Sequence, residues 1–414
     1  MNPIAPSSRL AQVRYEIRGT LARRARELEA TGRSIIHLNI GNPGRFGFRA
    51  PPHLVETIPA NLEQSDGYCQ EQGIDEAREA VVARQHARGV MGMDTDHVFI
   101  GNGVSELIDM SLRALLESGD EVLLPSPDYP LWSASTVLNG GRPRYYRCPA
   151  ANHHQPDPGE MASLISPRTR AIVLVNPNNP TGAVYPRPLL EAIVELAARH
   201  NLVLLSDEIY DDIVYDDAAF QPLAPLAGEV PCLSYSGLSK VHRACGFRIG
   251  WMSLSGAGPR TAGLRDALQL LSALRLCANV TAQWAVHAAL HGPDTISPLL
   301  APGGRLHEAR RTVLEGVEAS RFLELVAPQG ALYAFPSVHA DTLPDFDDNA
   351  FALRLLEEEG VLLAPGSSFH VEASRHLRLT LLPEPAALRD VFVRIERVLE
   401  RMQFDLAPRL RQPA

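Results

Sequence analysis

The feature that most restricts the fold of this chain is a series of short apolar segments, each of which runs directly into a polar loop. Residues 170–175 (RAIVLV) and 202–205 (LVLL) are continuous apolar runs, typical of strands that are buried on both faces of a parallel sheet. Residues 231–236 (PCLSYS) are interpreted as a third strand. A helical segment at 188–199 separates the first two, as in a βαβ unit. Ligands of open α/β sheets bind just beyond the carboxyl ends of the strands. The three loops are therefore expected to meet in one site.

The loop after the third segment carries the most specific chemistry. Lys240 directly follows Ser239, and Arg248 stands a few positions later, across a glycine. A lysine amine can form a Schiff base with an aldehyde, while a serine and an arginine can hold a phosphate dianion. Pyridoxal 5′-phosphate (PLP) needs both, so the pattern favours PLP as the cofactor. A solvated loop with scattered charges is the simpler alternative.

The other two loops carry side chains that could contact the ring of this cofactor. Asp207 follows LVLL, Tyr210 stands three residues on, and Asn179 lies in NPNNPTG. A carboxylate at Asp207 would keep the pyridine nitrogen protonated, so that the ring can accept electrons. The Tyr210 hydroxyl and the Asn179 amide could hydrogen-bond the ring hydroxyl. The alternatives are a helix N-cap at Asp207, core packing of Tyr210 and a plain turn at Asn179.

Further candidates lie outside these three loops. The segment GNGVSE opens a predicted helix, whose backbone N–H groups at Val104 and Ser105 could bind phosphate. Tyr129 follows another predicted strand and could stack on the cofactor ring, unless it is a core aromatic beside a turn. Arg378 alternates with apolar residues in HLRLT and could clamp a substrate carboxylate with two parallel hydrogen bonds. Its alternative is an edge-strand arginine in solvent.

Length and charge exclude several classes of protein. The chain has 414 residues, which predicts two or three domains, and its formal net charge is −9 (39 − 48). This charge argues against a protein that coats nucleic acid or an anionic membrane. No signal peptide and no transmembrane helix is expected. The five cysteines are widely spaced and form no CxxC motif, so we expect no disulfide framework, no metal site and a cytoplasmic location.

The pattern of helices and strands predicts an α/β fold with two parts. Residues 51–300 are expected to form a large domain around a mostly parallel central sheet. After about residue 295, helical segments at 304–316, 349–359 and 384–402 alternate with short strands at 331–335 and 377–381, which predicts a smaller α+β domain over 301–414. Residues 1–50 are expected to form an N-terminal arm and part of the small domain, with a short strand at 34–40.

Taken together, these residues resemble the class I and II aminotransferases of PLP fold type I, in the same order and over nearly the whole chain. The set that carries the resemblance is Tyr68, Gly73, Gly103-Val104-Ser105, Tyr129, Asn179-Pro-Thr-Gly, Asp207, Tyr210, Ser239-Lys240, Arg248 and Arg378. The resemblance implies that Lys240 forms the Schiff base and that Ser239, Arg248 and the amides of Val104 and Ser105 hold the phosphate. It further implies that Arg378, with backbone near Gly41, takes the substrate α-carboxylate. Tyr68 would reach the phosphate of a neighbouring subunit, which implies a homodimer with shared active sites.

A closer resemblance is to the bacterial alanine (glutamate–pyruvate) aminotransferases. The tracts LNIGNPGRFGF, IGNGVSELI, SDEIYDDIVYDD and GLSKVHRACGFRIGWM carry it. It implies ping-pong transfer of an amino group between an L-amino acid, expected to be L-alanine, and 2-oxoglutarate. Tyr15 and Arg18 are then the favoured contacts for the substrate in the N-terminal segment, with Arg18 on the distal carboxylate and Arg275 as another candidate cation. Gly237 and His242 depart from residues common among relatives.

Two other PLP enzymes remain open as alternatives. A biosynthetic aminotransferase for another amino acid would share every motif, because specificity can depend on pocket residues that motifs do not reveal. A C–S β-lyase shares the fold and the lysine but needs no oxo acid. A PLP-binding transcription factor would need a DNA-binding domain, for which the segment before the first strand leaves no room. A nicotinamide dehydrogenase would need a GxGxxG motif in its first βαβ unit.

Overall fold

The computed structural model of the chain describes residues 4–15 and 19–406, and a prediction at Arg18 therefore lies outside the described residues. The helices are α1 (Thr20–Ala30), α2 (Pro52–Ala60), α3 (Asp75–Ala87), α4 (Val104–Leu115), α5 (Pro130–Leu138), α6 (Pro158–Leu164), α7 (Arg187–His200), α8 (Ala224–Ala227), α9 (Gly258–Leu274), α10 (Ala285–His291), α11 (Ser297–Leu300), α12 (Arg305–Glu318), α13 (Asp348–Glu359) and α14 (Pro385–Leu406). The strands are β1 (Ile36–His37), β2 (Val98–Gly101), β3 (Glu121–Ser126), β4 (Arg142–Arg147), β5 (Thr169–Val175), β6 (Val203–Asp207), β7 (Cys232–Gly237), β8 (Gly250–Ser255), β9 (Leu323–Glu324), β10 (Tyr333–Ala334), β11 (Ser337–Val338), β12 (Val361–Leu362), β13 (Ala364–Pro365) and β14 (Leu377–Thr380).

The central sheet has seven strands in the order β2-β8-β7-β6-β5-β3-β4. Its pairs are parallel from β4 through β7, and β8 runs antiparallel to both of its neighbours. The mostly parallel sheet predicted from the sequence is confirmed. The apolar runs are buried, since every residue of β7 is buried and only one residue of β5 is exposed. Such strands must be covered by helices on both faces, which explains why they lack a polar alternation.

The register of the sheet brings three loops to the same edge. Val175 at the end of β5 lies beside Asp207 at the end of β6, and Asp207 lies beside Tyr235 in β7. Each strand therefore ends at nearly the same level. The loops that follow, at 176–182, 208–212 and 238–240, leave the sheet together on its carboxyl side, as expected for an open α/β sheet.

Residues from both ends of the chain form a second, smaller assembly. It holds a three-stranded sheet, β10-β14-β13, and two two-stranded sheets, β1-β12 and β11-β9. Helices α12, α13 and α14 pack around a core that includes Leu38, Val313, Leu355 and Val391. The predicted strand at 34–40 is shorter than expected. Only Ile36–His37 pairs with β12, and the backbone of Leu38 then bonds Leu362 and Thr380 of the smaller assembly.

None of the helices in the described parts of the chain combines the length and the apolar character that crossing a membrane requires.

Candidate active site

A cavity of about 690 Å³ lies where the carboxyl edge of the central sheet meets the smaller assembly. Most of the residues singled out from the sequence line it, namely Tyr15, Gly41, Val104, Ser105, Tyr129, Asn179, Asp207, Tyr210, Ser239, Lys240, Arg248 and Arg378. Tyr68 is not among the described residues of the lining, and it is 81% exposed. Residues from eight separate segments of the chain therefore converge on one space.

Lys240 stands on the loop that follows β7, beside Ser239, and is half-buried. Its amine donates a hydrogen bond of 2.6 Å to the carbonyl oxygen of Gly41. This contact spans 199 residues of sequence and ties the N-terminal segment to the loop of the central sheet. It also places a primary amine inside a cavity in which a carbonyl ligand could approach it.

Asp207 is the last residue of β6 and is buried. Its two carboxylate oxygens accept hydrogen bonds of 3.3 Å from Trp132 Nε1 and from the backbone N–H of Ile209. Burial raises the pKa of Asp207 to about 6, although both hydrogen bonds and the nearby Lys240 act to lower it. No helix begins between this residue and α8, so the helix-cap alternative is wrong. The carboxylate is aimed into the cavity instead.

Aromatic side chains and one amide form the walls beside Asp207. Tyr129 immediately precedes α5, and burial together with the neighbouring Tyr15 hydroxyl raises its pKa well above the ordinary range. The Tyr210 hydroxyl donates to the Tyr333 hydroxyl at 3.3 Å. The side-chain oxygen of Asn179 accepts a hydrogen bond from Arg378, which leaves the Asn179 NH₂ group as a donor towards the cavity.

One end of the cavity has the features of an anion cradle. Helix α4 begins there at Val104, so its unpaired backbone N–H groups face the same space as the Arg248 guanidinium. Gly103 has φ = 85°, and a Cβ at this position would lie 2.1 Å from Nη2 of Arg248. A Cβ at Gly250 would lie 2.5 Å from the Val104 nitrogen. Only glycine at both positions lets the helix, the arginine and strand β8 come this close.

The opposite end is dominated by Arg378, which is only 2% exposed. Its Nη1 donates to the Asn179 side-chain oxygen at 3.0 Å and its Nη2 donates to the carbonyl oxygen of Asn39. The Nε atom is buried and has no hydrogen-bond partner among the described residues. The alternative of an arginine in solvent is therefore wrong. A buried guanidinium with an unused donor is suited to bind a carboxylate.

The structure places the two departures noted in the sequence, Gly237 and His242, and the candidate cation Arg275. A Cβ at Gly237 would lie 2.7 Å from the carbonyl oxygen of Ile249, so no hydroxyl side chain fits there. His242 does not line the cavity, and burial lowers its pKa to about 4. Arg275 is held by Glu106, with 2.7 Å between Nη1 and Oε2, and by the carbonyl oxygen of Ile100. It is not among the described residues that line the cavity, so its candidate role as a substrate cation stays a prediction that this cavity does not support.

Trp132 and Tyr333 are among the residues of this site that sequence reasoning missed. Trp132 supports Asp207 from α5, and Tyr333 lines the cavity between Tyr210 and Arg378. The only signal in the sequence is that both are aromatic residues in apolar surroundings. Trp132 stands two residues after PDYP, and Tyr333 lies in the segment ALYAF. No local pattern indicates which polar partner each of them has. Within residues 4–15 and 19–406, no cluster of three or more His, Cys, Asp or Glu could hold a metal ion.

Comparison with known proteins agrees with this geometry. Residues 33–395 match the model of the family described as aminotransferase class I and II. The chain is 44% identical over 383 residues to the glutamate-pyruvate aminotransferase AlaA of Escherichia coli, covering 92% of this chain and 95% of that protein. It is 46% identical over 395 residues to an alanine aminotransferase of Mycobacterium bovis, covering 95% and 91% respectively.

A solved structure shows the same fold. The crystal structure of an aminotransferase from Escherichia coli superimposes with a TM-score of 0.94 at 43% identity, covering 96% of this chain and 99% of that one. The fold is thus that of the fold type I aminotransferases. The family match, the relatives and the superposition lead to one conclusion: this chain belongs to the class I and II aminotransferases.

Proposed function

We propose that this aminotransferase uses PLP to move an amino group between L-alanine and 2-oxoglutarate. The observation that carries the proposal is the presence of Lys240, Asp207 and Arg248 on the walls of one cavity. Lys240 is also the only lysine in the 414 residues. The other 38 of the 39 lysine and arginine residues are arginine, so the one lysine amine of the chain lies in this cavity.

The residues of the cavity fit PLP at three points. The α4 N-terminus, Ser239 and Arg248 would hold the phosphate in the cradle where glycines at 103 and 250 leave no room for side chains. Asp207 would meet the pyridine nitrogen from its buried position. Lys240 would reach the aldehyde. When bound, PLP supplies that aldehyde and an electron-withdrawing ring.

The chain's own residues would then bind and orient the substrate and move its proton. Arg378 would clamp the α-carboxylate, using the buried Nε and a terminal nitrogen as parallel donors. The Lys240 amine would take the proton from the substrate Cα as a general base and return it to the aldehyde carbon of the cofactor, C4′. The Asn179 amide and the Tyr210 hydroxyl would hydrogen-bond the ring hydroxyl, and Tyr129 would cover the ring face.

The choice of substrates rests on the relatives. Proteins named glutamate-pyruvate aminotransferase and alanine aminotransferase share 44–46% identity with nearly the whole chain. The Tyr15 side chain lines the cavity, and Arg18 would bind the distal carboxylate of glutamate or 2-oxoglutarate from the same segment. An Arg18→Ala variant should raise the KM for 2-oxoglutarate much more than the KM for alanine. An equal rise for both would contradict that role.

We also propose that the enzyme is a homodimer with shared active sites. Tyr68 is 81% exposed, and Leu274 and Leu270 are 73% and 61% exposed on α9. Large apolar side chains exposed at these levels are suited to an interface. Tyr68 would extend to the phosphate of the partner subunit. Sedimentation equilibrium checks the dimer, and restoration of activity on mixing Tyr68→Phe with inactive Lys240→Ala subunits checks the sharing.

The division into domains and the location are part of the same proposal. Residues 51–300 would form the large PLP-binding domain and 301–414 the small domain, with 1–50 supplying the arm and one strand. The cores support this division, since two of them share the buried residues of the seven-stranded sheet and another contains most of the buried residues of α12, α13 and α14. The five cysteines are free, which agrees with a reducing cytoplasm.

Because the chain has a single lysine, the site to which PLP attaches can be tested directly. Protein loaded with PLP is treated with borohydride, and its intact mass and peptide map are measured; one PLP group on Lys240 is expected. A second sample receives excess L-alanine without any oxo acid. Loss of the yellow colour with pyruvate formed in step with enzyme sites supports both PLP and alanine.

Other outcomes separate the alternatives. A yellow protein that ignores alanine moves the substrate to another amino acid. Continuous release of pyruvate and ammonia from cysteine-type substrates, with no oxo acid present, favours the β-lyase. A protein that takes up no PLP contradicts the whole proposal.

A further inference from the structure

Tyr333 occupies a position in the cavity that the roles above do not use. It lies in β10, which pairs with β14, and it is only 3% exposed. The guanidinium carbon of Arg378 lies 4.4 Å from the centre of the Tyr333 ring and 4.7 Å from the centre of the Phe369 ring. These distances are typical of cation–π contact. The ring therefore fixes the plane of the guanidinium that faces the cavity.

The hydroxyl group of the same side chain contacts a different part of the site. It accepts the hydrogen bond of 3.3 Å from Tyr210. It also presses on Gly41, where an added Cβ would lie 2.2 Å from the hydroxyl oxygen. The carbonyl oxygen of Gly41 in turn accepts the bond from the Lys240 amine. One side chain thus touches the carboxylate-binding group and the groups that surround the lysine.

The electrostatic surroundings support a role beyond filling space. Burial by itself raises the pKa of Tyr333, but the Lys240 and Arg378 cations and the hydrogen bond from Tyr210 bring the pKa below its ordinary value. Phenylalanine would fill the same volume and contact Arg378 equally well. The contacts with Tyr210 and Gly41 therefore need the hydroxyl group, whereas the contact with Arg378 needs only the ring.

We propose that Tyr333 is a positioning residue with two separable functions: its ring orients Arg378 for the substrate carboxylate, and its hydroxyl holds Tyr210 and the Gly41 segment around Lys240. This inference rests on the proposed function, because it assumes a carboxylate substrate at Arg378. The two functions predict different kinetic effects for two substitutions of one residue.

Tyr333→Phe keeps the ring and removes the hydroxyl. The KM for alanine and the affinity for glutarate, an unreactive dicarboxylate, should stay within about threefold of wild type, while kcat falls about tenfold through loss of one hydrogen bond. The pH at which the absorbance of bound PLP changes should also move, since the Tyr210 hydroxyl loses its acceptor. Calorimetry measures glutarate binding without turnover.

Tyr333→Leu removes the ring as well. Glutarate should bind about tenfold more weakly or worse, and the KM should rise for alanine and for 2-oxoglutarate alike, because both present a carboxylate to Arg378. The matched control is Tyr215→Phe. Tyr215 is equally buried, its hydroxyl donates to the carbonyl oxygen of Ala331 at 3.0 Å, and its ring lies 5.1 Å from Arg310, outside the cavity lining. It should change neither glutarate affinity nor the absorbance titration.

The results that would contradict the role of Tyr333 differ from those that would contradict the proposed function. A folded Tyr333→Leu protein that binds glutarate as tightly as wild type overturns the role of the ring. A Tyr333→Phe protein with wild-type kcat and an unchanged absorbance titration overturns the role of the hydroxyl. A wild-type protein that forms no pyruvate from alanine contradicts the proposed substrate instead, while the glutarate measurement still decides the role of Tyr333.

Discussion

The Arg378 guanidinium donates a hydrogen bond of 3.0 Å to the side-chain oxygen of Asn179, across 199 residues of sequence. Arg378 belongs to the smaller assembly and Asn179 to the loop after β5. The residue proposed to bind the substrate carboxylate is therefore held by a residue proposed to contact the cofactor. With these roles, carboxylate binding and cofactor orientation would be joined by one buried contact.

Arg378→Lys should weaken binding of both substrates. Lysine keeps the charge but loses the planar fork and the bond to Asn179, so kcat/KM should fall about 10- to 100-fold for alanine and for 2-oxoglutarate. Steady-state kinetics measures the effect. Arg375→Lys is the control, because Arg375 bonds the backbone carbonyl oxygens of Val338 and His339 and does not line the cavity. A loss for only one substrate would argue against a shared carboxylate site.

Asp207→Asn should lower activity and at the same time stabilise the cofactor-free protein. The pKa of Asp207 is raised to about 6 in the folded chain, above its ordinary value of 3.8. The folded state therefore binds more protons than the unfolded state between these values, and the free energy of unfolding falls as pH rises through this window. At pH 7.5 the neutral amide should recover up to about 3 kcal/mol.

Chemical denaturation of PLP-free protein at pH 4.5 and 7.5 checks this sign. The free energy of unfolding of Asp207→Asn should exceed that of wild type by more at pH 7.5 than at pH 4.5. With PLP bound, kcat should drop about 100-fold or more, since the charge that would keep the pyridine nitrogen protonated is gone. The raised pKa of Asp207 would be contradicted if the stability of wild type increased more than that of the variant as the pH rises from 4 to 6.

His370 and Asp128 form a buried link between the two parts of the molecule. His370 Nδ1 lies 2.8 Å from Oδ1 of Asp128, which is 0% exposed and whose other carboxylate oxygen has no partner among the described residues. His370→Phe should keep the stacking on Tyr145 but leave the carboxylate unpaired, which should cost about 3 kcal/mol of unfolding free energy.

Denaturant titration of His370→Phe, Asp128→Asn and the double variant measures this coupling. The double variant should recover much of the loss, because no buried charge remains. The control is His97→Phe, since the His97–Asp94 pair is as short, 2.6 Å, but Asp94 is 67% exposed. This variant should change stability by less than about 1 kcal/mol. Equal losses for both histidine variants would show that burial is not the cause.

Arg88 neutralises two buried carboxylates behind the proposed cofactor site. It lies 3.4 Å from Glu208 and 2.5 Å from Asp211, and burial raises the pKa of Glu208 to about 7 although Arg88 lowers it. Arg88→Met should destabilise the protein by about 3 to 5 kcal/mol at pH 8, where both carboxylates would be charged, and by less at pH 5.5.

Thermal unfolding at the two pH values measures this dependence. Adding Glu208→Gln should restore part of the stability at pH 8, because it removes one unpaired charge. Arg187→Met serves as the control, since its 2.7 Å pair with Glu191 lies on the surface. A destabilisation that is independent of pH would point to lost packing of the arginine stem instead.

Local patterns were sufficient to predict the architecture and the chemistry of the loops. Continuous apolar runs predicted β5 and β6, and the segment before the lysine loop predicted a third strand, β7. The polar residues that follow these strands predicted that Asn179, Asp207 and Lys240 line one edge, as the cavity shows. Such predictions succeed because they depend on short segments of sequence. A strand that is buried on both faces is apolar throughout, and parallel strands all end at the same edge of the sheet.

Contacts between distant segments could not be predicted in the same way. The strand predicted at 34–40 is only two residues long, and Ile40 and Gly41 line the cavity instead. Arg275 pairs with Glu106. Tyr333 and Trp132 are ordinary core aromatics by composition, and their hydroxyl and indole partners lie 123 and 75 residues away. Periodicity and residue type encode which face is buried and which loop is polar. Which side chain supports which depends on how the two assemblies pack together, and no segment of the sequence carries that information alone.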